Sequence, residues 1–214
     1  MARSTEPAGA FALAAGLVAW SATAGFTIPG RRHPVVQAGL GTTLALALGA
    51  RPGVRGGRLR SGLELGTASA AVVCAGVAMG VAVPAIREAM VQRDLPQPVW
   101  QWLAVDIPLG TVWAEEMLYR GALGTLAADA FGPRLGRLVQ AAAFGLSHIA
   151  DARATGESIV GTVLVTGIAG WLFAVLAERS GSLIAPALTH LAVNESGAVA
   201  ALLVQRRKIK APQV

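Results

Sequence analysis

Charge is the first thing this chain has little of. Only 14% of its 214 residues are Asp, Glu, Lys or Arg, against roughly 25% in an ordinary soluble domain. A fold of this length could bury a good core, but so few charges could not clothe a surface in water, which excludes a soluble globular domain. Aromatic residues are scarce too, at 5%. There is one cysteine, Cys74, set among Val and Ala, so no disulfide can close within the chain and the redox compartment is unmarked. Acidic residues are the rarer sign, 12 against 18 basic ones, for a net charge of +6. The basic residues lie between apolar runs and in the tail Arg206-Arg207-Lys208-Ile209-Lys210. Their natural partner is a bilayer with anionic headgroups, not nucleic acid.

What is abundant is apolar and small. Hydrophobic residues make up 54% of the chain, mean hydropathy is +0.56, and there are 26 glycines. About 20 apolar residues span the hydrocarbon as a helix, and membrane helices pack through small residues. Seven such stretches can be marked, roughly 8–28, 34–50, 65–86, 100–119, 136–150, 158–177 and 182–204. They predict an all-α, polytopic transmembrane bundle of about seven spans. It reads as a single integral membrane domain over 1–214: three N-terminal spans within 8–86, a motif-bearing core over 100–204 and a basic tail over 205–214. The fourth stretch is interrupted by Asp106 and Pro108, and the segment from Arg51 to Arg60 reads as a polar loop. Gly62/Gly66, Gly76/Gly80 and Gly132/Gly136 have the spacing that lets helices approach closely. Ala22-Thr23-Ala24 resembles a signal cleavage site, but Arg3 alone, opposed by Glu6, makes a poor basic leader; a retained first helix is expected. The Lys and Arg of the connections divide evenly between the two sides, so the positive-inside rule gives no orientation. A preference for Arg over Lys, with much Ala and Gly, fits a bacterial cell membrane.

Ionisable groups inside membrane segments cost about 2.5–3.5 kcal/mol each on insertion scales, and so point to function. Three clusters stand out. In Glu115-Glu116-Met117-Leu118-Tyr119-Arg120, a helix makes Glu116 and Arg120 neighbours at i,i+4 with the acid first, the favourable order for an ion pair. Glu115 falls about 100° round the helix and is left free for chemistry, or else both acids join Arg120 in an interfacial salt-bridge cluster. Phe144-Gly145-Leu146-Ser147-His148 brings a histidine late in the fifth stretch, either packed or functional. His190 and Asn194, at i,i+4, share one helix face and can address one oxygen atom, or can simply bond helices together. Glu195 faces away from them, and His33 lies in a short loop beside Arg31 and Arg32.

In this order, EEMLYR (115–120), FGLSH (144–148) and HLAVN (190–194) resemble the three motifs of the CAAX-protease and bacteriocin-processing family of intramembrane proteases, which includes the type II CAAX prenyl proteases. Those motifs are Glu-Glu-x-x-x-Arg, Phe-x-x-x-His and His-x-x-x-Asn, matched here at every position. The resemblance implies a helical bundle with an intramembrane cavity that hydrolyses a peptide bond of a membrane-associated peptide or protein. Carried over by position, Glu115 activates the attacking water and His148 helps to hold it. His190 and Asn194 bind the developing oxyanion, and Glu116 and Arg120 form the supporting ion pair. The family is often labelled metalloprotease, and Glu115, His148 and His190 could hold zinc with an open position. The absence of an HExxH pair and the presence of Asn favour the metal-free chemistry. The competing classes are an ion- or proton-coupled transporter, which would show internal repeats that this chain does not, and a non-proteolytic immunity or scaffold protein on the same fold.

Overall fold

In hydrocarbon every backbone N–H and C=O must be satisfied within the chain, and a helix does this locally. The apolar stretches accordingly fold as helices, with no strand among the described residues. The structure, a computed structural model, describes residues 7–23 and 33–210, the last two by backbone alone. Arg3, Glu6, Ala24, Arg31, Arg32 and the end of the basic tail lie outside the described residues. The first helices are α1 (Pro7–Ala22), α2 (Pro34–Ala47) and α3 (Gly56–Gly80), followed by a short α4 (Pro84–Gln92). A single turn, α5 (Val99–Gln101), then runs into two π-helical stretches, Trp102–Trp113 and Glu116–Leu123. These continue as α6 (Gly124–Ser147), α7 (Ile149–Thr155), α8 (Ile159–Ser180) and α9 (Ile184–Lys210).

Each of the seven apolar stretches corresponds to a helical rod, but several bounds differ from the sequence reading. The Arg51–Arg60 segment is a loop only as far as Arg55; α3 begins at Gly56. Arg is a good helix former, and Arg60 pairs with Glu64 one turn on at 2.8 Å, so the helix starts early. Residues 120–131 are likewise helical where a connection was expected, because nothing in them breaks a helix before Gly132-Pro133. There Gly132 takes φ +78°, a conformation open to glycine at no steric cost, and the chain folds back on itself. Pro108 sits inside the first π stretch, where its missing N–H is tolerated by the wider i→i+5 turns.

The outside of the bundle is apolar. Val160, Leu164, Val165 and Ile168 on α8, and Val72 and Met79 on α3, all point outward, with Val72 72% exposed. In water such a surface would aggregate; in lipid it is the expected exterior. Helices α3, α8 and α9 are long and apolar enough to cross a membrane, and the chain is an integral membrane protein. The interior is filled by Phe144, Met117 and Leu123, all fully buried, with α1 covering Tyr119 and Leu123 through Ala10 and Leu17.

The small-residue spacings divide. Helix α3 lies against α9 through Gly62 and Gly66, where an added Cβ would come within 2.6 Å of Ser182 and 3.0 Å of Ala185. Ser69 Oγ and Thr189 Oγ1, 2.6 Å apart, share a hydrogen bond across the same seam. Gly76 meets nothing within 4 Å and Gly80 only Ile86, so that pair makes no seam. Gly66→Leu is expected to overpack the α3–α9 contact and cost about 1–3 kcal/mol, read as a lower unfolding temperature in detergent; Gly76→Leu serves as the neutral control.

Candidate active site

The centre of the candidate site is a ring that the sequence presents as one more apolar residue. Phe144 is fully buried on α6. Its neighbours are Tyr119 at 5.0 Å, His148 at 4.8 Å and His190 at 6.0 Å between ring centroids, all met edge to face. Over its face lies the Arg120 guanidinium, 4.1 Å from the centroid. The aromatic of the second motif thus joins the cation of the first to the histidines of the second and third, using the negative face and positive edge of one ring. Phe173 on α8 completes the enclosure: it stacks on His190 at 4.9 Å and 27° and lies 5.0 Å from the Arg120 guanidinium. Sequence reasoning missed Phe173 because a Phe in an apolar helix carries no signal of its own.

The two adjacent glutamates meet different surroundings. Glu116 is sealed, with 0% of its side chain exposed. Its Oε1 lies 3.3 Å from Arg120 Nη1 and 2.9 Å from His190 Nδ1. Glu115 keeps 27% of its side chain exposed, and its Oε2 lies 3.8 Å from His190 Nε2 with no hydrogen-bond partner among the described residues. The expectation that the two acids face apart is therefore only half right. They leave the helix at different angles but converge on the two nitrogens of one imidazole. Whichever of His190 Nδ1 and Glu116 Oε1 holds the proton between them, that bond fixes the ring and turns Nε2 toward Glu115.

His148 caps the end of α6, and its Nδ1 lies 2.7 Å from the Phe144 carbonyl. A carbonyl only accepts, so Nδ1 carries the proton and Nε2 is the basic nitrogen left over. Asn194 stands one turn along α9 from His190, and its Nδ2 donates to the His190 carbonyl at 3.1 Å. The structure thus brings Glu115, Glu116, Arg120 and His190 into contact and ties His148 to them through Phe144. Asn194 is on the same helix but bonds to backbone. Glu195 makes no ion pair among the described residues, and His33 is exposed at the start of α2.

A zinc ion would need its ligands grouped. Among the described residues no three His, Cys, Asp or Glu side chains are so placed. Glu115 and His190 are near one another, and both histidines give Nδ1 to an acceptor and keep Nε2 free.

The chain matches the family described as type II CAAX prenyl endopeptidase Rce1-like over residues 96–195, just under half its length. No curated protein and no solved structure matches it. The matched span runs from the loop before α5 to the fourth turn of α9 and contains every residue of the three motifs. Residues 96–195, which hold the glutamates, arginine and histidines gathered round Phe144, thus carry the likeness to the type II CAAX prenyl endopeptidase Rce1-like family, and the family indicates a protease.

Proposed function

We propose that the chain is a multi-pass intramembrane endopeptidase of a bacterial cell membrane, and that it hydrolyses a peptide bond with water activated by Glu115. The observation that supports this most is the asymmetry of the acid pair. Each acid keeps an unbonded Oε2, but Glu116 is sealed and answered by Arg120, whereas Glu115 is part exposed and faces His190 Nε2. A carboxylate without an arginine of its own, set among buried aromatic side chains, is suited to take a proton from water.

In the proposed reaction, His148 Nε2 accepts a hydrogen bond from the water while Glu115 removes its other proton. The resulting hydroxide attacks the scissile carbonyl, and the charge moves onto the carbonyl oxygen. Asn194 then donates to that oxygen, its amide having two N–H groups of which the His190 carbonyl takes one, and His190 donates beside it in the form that carries both ring protons, with Nδ1–H given to Glu116 and Nε2–H to the oxyanion. Collapse of the tetrahedral intermediate breaks the C–N bond, and Glu115 returns its proton to the leaving amine. The substrate is a membrane-associated peptide or protein, carrying a lipid or a leader, whose scissile bond can descend to the level of Glu115.

The test is a cleavage assay on detergent-purified full chain with lipidated and leader-bearing reporter peptides, before and after chelation, with metal analysis alongside. Activity that survives chelation is expected. Activity lost on chelation and restored by zinc would replace the water mechanism with a metal one. Complete absence of cleavage across the reporters would favour the scaffold or transport readings.

A further inference from the structure

A cavity of about 390 Å³ is bordered by Arg120 but not by Glu116. None of Glu115, His148, His190 or Asn194 lines it. It lies at the bundle end where the loop before α3, the Gly132-Pro133 turn and the α8–α9 turn come together, and four arginines surround it: Arg51, Arg58, Arg120 and Arg137. Arg120 is the buried one, with 1% of its side chain exposed, and its Nε, Nη1 and Nη2 have no hydrogen-bond partner among the described residues. Gln140, also buried, lines the cavity beside it.

The charges do not cancel. Glu178 grips Arg137 with two bonds, at 3.0 and 2.6 Å. Glu116, which does not line the cavity, answers Arg120. Arg51 and Arg58 have no carboxylate partner among the described residues. The cavity thus holds an excess of two positive charges, together with buried guanidinium donors that nothing in the described protein accepts. Guanidinium groups arranged about one space suit a compact polyvalent oxyanion, which takes several N–H bonds at once. Arg60, Arg134 and Arg179 lie within two residues of the cavity-lining Arg58, Pro133 and Gly181, so this end of the bundle is rich in arginine.

We propose that this cavity binds a phosphate group, presented by an anionic lipid headgroup or by soluble phosphate. The wall residues Arg51 and Arg58 supply the charge, and Arg120 supplies the buried donors. Since Arg120 also faces Glu116, the ligand braces the back of the acid pair without touching the reacting atoms.

The experiment uses full chain in a maltoside detergent and phosphate-free buffer, titrated separately with short-chain phosphatidic acid and with inorganic phosphate while tryptophan fluorescence follows thermal unfolding. A saturable rise in the unfolding temperature is expected, since a ligand bound only to the folded state stabilises it. In Arg51→Gln/Arg58→Gln, both exposed positions, the apparent affinity should fall about tenfold or more. In Arg87→Gln/Arg153→Gln, which removes the same charge elsewhere, it should not. A response to phosphatidic acid alone assigns the site to lipid; a response to both probes assigns it to phosphate as such. The proposal is overturned if neither probe gives a saturable shift, if the Arg51/Arg58 variant binds like wild type, or if the control pair loses as much affinity.

Discussion

Glu115→Gln is expected to lower the rate of peptide cleavage about 10²–10⁴-fold while leaving the unfolding temperature close to that of wild type. The substitution keeps the shape of the side chain and removes only its charge and its basicity. Glu115 is part exposed, and its Oε2 has no hydrogen bond to lose. The bonds that hold the cluster belong to Glu116, which joins Arg120 and His190. A stable but inactive Glu115→Gln protein is therefore what a proton-transfer role demands. Glu116→Gln makes the contrast, because it removes the charge that answers a buried guanidinium and so should lower the unfolding temperature as well as the rate. Both proteins would be compared by initial rates on the same reporter peptide and by thermal unfolding in the same detergent. Cleavage by Glu115→Gln at the wild-type rate would sink the assignment of the water-activating base.

The difference between the two acids shows how far the sequence could be read. Their presence in an apolar helix, and the i,i+4 relation of Glu116 to Arg120, were visible as spacing, since a helix turn places those atoms together whatever surrounds it. That both acids reach the same imidazole was not visible. It depends on α9 packing beside the first π stretch, so that the His190 side chain reaches the acids where that stretch gives way to the second; this leaves no period in the sequence. The apolar stretches gave the rods, because lipid demands a local answer for every peptide group. Their ends were less legible. Residues 120–131 contain Arg, Gly and Asp but no strong breaker, and the helix runs through them to Gly132. The basic cavity escaped notice for a similar reason: Arg51, Arg58, Arg120 and Arg137 lie far apart along the chain and meet only when three connections are brought to one end of the bundle.

Arg120→Ala is expected to destabilise the protein by about 3–5 kcal/mol, the usual cost of removing one partner from a buried ion pair. Glu116 would keep its bond to His190 but lose the only guanidinium among the described residues that answers its charge. Phe144 and Phe173 would lose the cation that lies over them at 4.1 and 5.0 Å, contacts worth about 0.5–2 kcal/mol each when desolvated. A void would open between α6 and α8, beside the cavity already there. Arg120→Lys separates these contributions. It restores the positive charge, but a compact ammonium cannot lie flat on two rings and reach Glu116 together, so its stability should fall between the other two. The double variant Arg120→Leu/Glu116→Leu removes both charges and should recover part of the loss, since no buried charge is left unanswered. Recovery should be incomplete, because His190 Nδ1 then faces apolar surface without its 2.9 Å partner. Thermal unfolding of the four proteins gives the order directly: wild type, then Lys and the double Leu variant, then Ala. An Arg120→Ala protein as stable as wild type would mean that His190 alone satisfies Glu116. The guanidinium would then owe its place to the anion cavity behind it, not to the acid in front.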